Sequence, residues 1–157
     1  LQIPDRIEKI ILHGPMFFEE GELENFRSEM VPFEKGITPK ADGSHMTELW
    51  NWRAMYAEGF KPEIMHKHIV PNLAAIPTAW YGHNACFAHE TIERTKLLQQ
   101  PTLVINNTGD AMYPFAVRAK ELFPKFDCVE LEGGTVDCID EMPELWVEEV
   151  VSFLSRD

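Results

Sequence analysis

Residues 6–13 read Arg6-Ile7-Glu8-Lys9-Ile10-Ile11-Leu12-His13, and the chain then turns at Gly14-Pro15. Ile7, Ile10, Ile11 and Leu12 make the centre of this strand almost continuously apolar. A strand with one wet face alternates apolar and polar residues; an unbroken apolar run is buried on both faces. That pattern belongs to a parallel sheet covered by helices on each side, and it constrains everything downstream. Pro101-Thr102-Leu103-Val104-Ile105-Asn106 is a second, β-branched strand with the turn Asn107-Thr108-Gly109-Asp110 behind it. Phe126-Asp127-Cys128-Val129-Glu130-Leu131 is a third, with Gly133-Gly134 as its turn.

Helices separate the strands. Pro114 opens one that ends before Pro124, with Ala116, Ala119, Leu122 and Phe123 on its apolar side. A last helix, capped by Asp140 and with Pro143 in its first turn, carries the stripe Trp146, Val147, Val150, Phe153 and Leu154. Between the first two strands lies a long insertion. Its first part, residues 14–42, is acidic and reads as a solvated loop or short helix. Ser44 is placed to cap a helix from His45 to Glu58, closed by Gly59. Pro62 starts another, expected to break or kink at Pro71. Helical stretches follow from Pro77 and over Glu90–Leu98. The order is strand, helical insertion, strand, helix, strand, helix. Right-handed crossovers then give an α/β fold with a parallel sheet. The expected sheet order places Lys9–His13 next to Thr102–Asn106, with Phe126–Leu131 beyond it.

Size and composition fit one such domain. The chain has 157 residues, 45% of them hydrophobic and 25% charged, the balance of a globular protein with a real core. Its net charge of −12 argues against nucleic acid or an anionic membrane as partner, since both require a cationic surface. No apolar run is long enough to span a membrane, and residues 1–20 lack the order of a signal peptide. Cys86, Cys128 and Cys138 form an odd set without a C-x-x-C motif, as expected of reduced thiols in a cytoplasmic protein.

Three segments in this order resemble the C-terminal half of an α/β-hydrolase: Ile10-Ile11-Leu12-His13-Gly14-Pro15, Pro101 through Asp110, and Leu131-Glu132-Gly133-Gly134-Thr135-Val136-Asp137. The resemblance covers essentially the whole chain. It implies a partial sheet of parallel strands with the helical insertion, residues 16–98, as a lid and residues 99–157 as the C-terminal core. It further implies a hydrolase acting on a small, partly apolar, ester-like substrate. Asp110 matches the family's acid, whose task is to accept an imidazole N–H, fix its tautomer and stabilise the imidazolium. The family's nucleophile sits in a G-x-S-x-G elbow. No such elbow occurs here, and in family order it would lie upstream of Leu1. The family's histidine belongs in the turn after the third strand, where this chain has Val136, which cannot carry a proton. The chain alone is therefore expected to be catalytically inactive. The alternative is a non-catalytic small-molecule-binding pseudoenzyme or interaction module.

His83, at the tip of the aromatic run Trp80-Tyr81-Gly82-His83, is the first choice for a relocated base, against an ordinary structural role. His13 ends the first strand on the face where ligands of this family bind; packing is the simpler reading. Phe17, Trp80 and Tyr81 are candidate substrate contacts within a large aromatic inventory that also packs helices. His66 and His68, two apart on a helix, point away from each other, so no metal site and no cofactor are expected. Cys86 and Cys138 read as small buried hydrophobes rather than nucleophiles. The expected partners are a small-molecule ligand and, for the apolar first strand, either an N-terminal half or a second copy as an oligomer mate.

Overall fold

The computed structural model describes residues 4–156. The chain divides into two compact units, Leu1–Phe17 with Thr91–Asp157, and Phe18–Glu90. The second lies inside the stretch 16–98 expected as an insertion.

The first unit contains β1 (Ile10–His13), β2 (Thr102–Asn107) and β3 (Asp127–Leu131), in that order and all parallel. Ile11 pairs with Leu103, and Val104 with Cys128. The pleat sends Ile10, Leu12, Val104 and Cys128 to one face, where they meet Phe17, Leu98, Ala119, Phe123 and Phe126. Ile11, Leu103, Ile105, Val129 and Leu131 go to the other and pack on Cys138, Trp146, Val150 and Phe153. Both faces are thus covered, as the unbroken apolar run requires. The helix α9 (Pro143–Leu154) runs antiparallel to β1. Trp146 packs edge-on against His13, and Lys9 Nζ donates to the carbonyls of Leu154 (2.9 Å) and Arg156 at the other end.

The two outer strands of this sheet differ. β3 carries Asp127, ion-paired to Arg156, and Glu130, ion-paired to Lys120, the charged dressing typical of a natural edge. β1 is half-buried along its whole length and carries no Asp, Glu, Lys or Arg.

The helices of this unit are more broken than the sequence pattern predicts. The helix expected to begin at Pro114 is two short pieces, α6 (Tyr113–Ala116) and α7 (Ala119–Leu122). The last helix is preceded by α8 (Cys138–Glu141), which takes Asp140 into its body, so Asp140 is not the cap of α9. The stretch Glu90–Leu98 contributes α5 (Thr91–Thr95).

The second unit holds α1 (Glu20–Gly36), α2 (Ser44–Ala54), α3 (Pro62–Ala75) and α4 (Trp80–Phe87). The acidic stretch expected as loop or short helix is a 17-residue helix. Glu22 Oε2 accepts the Glu19 N–H at 2.9 Å and starts it, while Leu23, Phe26, Met30 and Val31 face Phe87, Trp52, Tyr56 and Trp80. Packing of that stripe holds the helix together through Pro32, and α3 likewise continues through Pro71. Ser44 is the first helical residue rather than the cap. Gly43, at φ 74°, precedes it, and Asp42 Oδ1 accepts both its N–H and its hydroxyl. No helix among the described residues is long and apolar enough to cross a membrane.

Candidate functional site

Two turns at the carboxyl ends of β2 and β3 build the site. The β2 turn is fastened to the β3 turn by backbone: Thr108 N–H donates to Leu131 O at 3.0 Å and Gly109 N–H to Gly133 O at 3.1 Å. Thr108 Oγ1 accepts the Gly133 N–H at 2.9 Å. The approach is so close that a Cβ on Gly109 would lie 2.3 Å from Gly134 O. Glycine is required there by space alone, since its φ is not positive.

Asn107, 1% exposed, is the hub. Its Nδ2 donates to Gly134 O at 3.0 Å and Thr135 O at 2.8 Å, while its Oδ1 faces His13 Nε2 at 3.2 Å. Glu141 secures the far side of the β3 turn. Its carboxylate accepts the Thr135 N–H at 2.6 Å and the Thr135 hydroxyl at 3.0 Å. Val136 is half-buried in this turn, between buried Thr135 and buried Asp137.

Asp110 stands on the β2 turn as the sequence places it. Oδ1 accepts the Met112 N–H at 2.7 Å, and Oδ2 lies against Gly14, 3.5 Å from where a Cβ would be. Burial pushes its carboxyl above the usual aspartate range; the Met112 N–H and the charge on His13 pull the other way, and Asp137 adds to the rise. Asp110, His13, Asn107 and the Gly134–Asp137 turn therefore form one polar cluster at the carboxyl end of a parallel sheet, the usual place for a ligand in this architecture. From sequence His13 reads as packing, and Asn107 and Glu141 carry no mark of a site role. Hydrogen bonds over 28 and 94 positions of sequence separation make Asn107 a hub, and nothing local announces them.

Phe17, a candidate substrate contact, is fully buried and tilted against Phe123 at 5.1 Å in the core of the first unit. A ring enclosed in this way has no face left for a ligand. The remaining candidates belong to the second unit. His83 Nδ1 is 2.7 Å from Glu34 Oε1 and its ring stacks on Phe87. The Glu34 side chain is 12% exposed, and its Oε2 has no protein partner among the described residues. Trp80 packs on the α1–α4 core with the Lys35 ammonium 4.0 Å from its ring centre, and Tyr81 is 57% exposed. All three thiols are pushed up by burial, opposite to what a nucleophile needs.

No protein-family profile and no curated relative matches this sequence. Solved structures do. The chain is similar to a thermophilic esterase from Thermogutta terrifontis, at 20% identity and TM-score 0.67, over 98% of this chain and 57% of that one. It is similar to MenH from S. aureus, at 18% identity and TM-score 0.70, over 94% and 59%. It is also similar to the enol-lactonase from Burkholderia xenovorans LB400, at 20% identity and TM-score 0.62, over 97% and 58%. The chain thus spans 57–59% of the length of these three structures. With its three parallel strands and this likeness along almost its whole length, the chain has the α/β-hydrolase fold.

Proposed function

We propose that this chain is the C-terminal part of an α/β-hydrolase acting on a small, partly apolar, ester-like substrate, and that Asp110 holds the imidazole that carries the proton. The observation that supports it is the Asp110 turn: a half-buried carboxyl, oriented by the Met112 N–H and next to an imidazole at the carboxyl end of a parallel sheet. Solved structures similar to it in fold include an esterase and an enol-lactonase. Within the first unit the imidazole beside Asp110 is that of His13. Within the second unit Glu34 orients His83 through Nδ1, with Trp80 and Tyr81 on the same helix.

The chain carries no G-x-S-x-G elbow, and its thiols are raised by burial. In this reading the nucleophile and the oxyanion donors come from polypeptide outside these residues, seated on the uncharged edge of β1. The 157 residues alone then turn over no short-chain aryl ester. Reproducible turnover by them, abolished in Asp110→Ala, would refute this. Val136 favours a second reading, a cytoplasmic binding module that has lost catalysis. Apolar ligands would then bind with Kd values unchanged by Asp110→Ala, whereas the hydrolase reading expects that substitution to weaken ester-like ligands.

A further inference from the structure

We infer that His13 is the imidazole paired with Asp110, and that its Nδ1 is the proton-accepting atom of this site. The inference deepens the reading of the Asp110 turn as the functional site. It starts from the Asn107 amide. Two carbonyl oxygens, Gly134 O and Thr135 O, lie 3.0 and 2.8 Å from the same Asn107 side-chain atom. Only the NH2 group can donate to both; the opposite amide orientation would set three acceptor oxygens against one another. Asn107 Oδ1 is therefore the atom facing His13, and an amide oxygen accepts only. His13 must donate from Nε2. A neutral imidazole that carries its proton on Nε2 presents a lone pair at Nδ1. Nδ1 has no hydrogen-bond partner among the described residues.

The carboxylate is on hand to complete the pair. Gly14, the residue after His13, turns at φ 53°, and a Cβ on it would lie 3.5 Å from Asp110 Oδ2. Asp110 thus sits beside the His13 backbone while Asn107 holds the ring. Trp146, edge-on at 6.2 Å, closes another side of the imidazole with apolar surface. The groups facing His13 are then Asn107, Asp110 and Trp146, and Asp137 is the carboxylate that acts in turn on Asp110. A ligand hydroxyl or a water bonded to Nδ1 passes its proton to the ring and keeps the electron pair on oxygen. Asp110 and Asn107 Oδ1 then stabilise the imidazolium that forms. The side chain at position 136 is not needed for this, so a valine there is tolerated.

The test uses NMR on the full chain and no substrate, so its outcome is independent of whether the chain acts on esters. The carboxyl of Asp110 is titrated in the wild type, in His13→Gln and in His83→Gln. Loss of a neighbouring imidazolium makes the Asp110 carboxylate easier to protonate. We expect its midpoint to rise by at least about 0.5 pH unit, roughly threefold in proton affinity, in His13→Gln alone. In parallel, long-range proton–nitrogen correlations of neutral His13 should show the proton on Nε2. The inference is overturned if His13→Gln leaves the Asp110 midpoint in place. It is equally overturned if His83→Gln is the variant that moves it, or if neutral His13 carries its proton on Nδ1. Both glutamine variants keep a side-chain donor, and circular dichroism of each checks that the fold is intact.

Discussion

Adding one methyl group at Gly109 tests how tightly the two site turns are locked. A Cβ there would sit 2.3 Å from Gly134 O and 3.2 Å from Gly133 C, all backbone atoms. Ordinary carbon contacts lie near 3.5 Å, so the turns would have to part by roughly 1 Å. No side chain can swing aside to relieve this. Parting the turns also stretches Gly109 N–H to Gly133 O at 3.1 Å and Asn107 Nδ2 to Gly134 O at 3.0 Å. Overpacking of this kind costs about 1–3 kcal/mol, and with hydrogen bonds lost as well we expect Gly109→Ala to cost about 3 kcal/mol. Gly133→Ala is the matched control. It lies in the facing turn at φ 82° with nothing within 4 Å of a Cβ, so it reports backbone strain without a clash. Its cost should be about 1–2 kcal/mol. Urea unfolding followed by tryptophan fluorescence, with circular dichroism to confirm that both signals move together, gives both numbers. Equal or reversed costs would refute the steric account of Gly109.

Other substitutions probe the same framework. Asn107→Leu removes the side-chain donor to Gly134 O and one of the two donors to Thr135 O, which keeps the Cys138 N–H at 3.0 Å, and should cost about 1–3 kcal/mol in urea unfolding; a loss within about 0.5 kcal/mol would remove Asn107 as the hub. Asn106 is 1% exposed and neither of its amide atoms has a protein partner among the described residues, so Asn106→Leu should stabilise the chain by about 1 kcal/mol or more, read as a higher Tm. Because burial raises the Asp110 carboxyl above its unfolded value, the protonated form favours the fold below that unfolded value, and the advantage is lost as pH rises through the folded one. Asp110→Asn keeps the Met112 N–H bond, so it should be more stable than wild type at pH 7, with the gain shrinking toward pH 3; a gain independent of pH would contradict the burial account. Finally, the uncharged β1 edge and the exposed Val147, Val151 and Leu154 on α9 should make the isolated chain self-associate at micromolar concentration. A stable monomer in sedimentation would show that the edge is tolerated.

Strand identity and order were legible without coordinates, because they rest on local physics. An unbroken Ile10-Ile11-Leu12 run can only be buried on two faces, and Leu103-Val104-Ile105 repeats the pattern, while Asp127–Leu131 carries charges between its apolar residues as an edge strand does, each of these last two strands ending beside a glycine turn. The parallel order follows from the helices between them. The place of Asp110 was legible for the same reason: it is fixed by the length of the turn behind β2. Helix extents were less so. Pro32 and Pro71 looked like breaks because a proline's local cost is visible, whereas the packing of Met30, Val31, Met65 and Ile69 that outweighs it is spread over several helices.

The site itself was decided by tertiary structure. Phe17 and Tyr81 are alike as aromatic residues, yet one is enclosed by the core and the other stands in solvent. His13 and His83 cannot be ranked from their neighbours in sequence, because the partners that set their chemistry, Asn107 and Glu34, lie 94 and 49 positions away. An imidazole's tautomer depends on which atom faces it across space, and for His13 that atom is held by two carbonyls of a third segment. The sequence by itself determined a parallel α/β sheet with an acid on its second turn; only the assembled turns determined which side chains surround that acid and where the proton on its neighbour must sit.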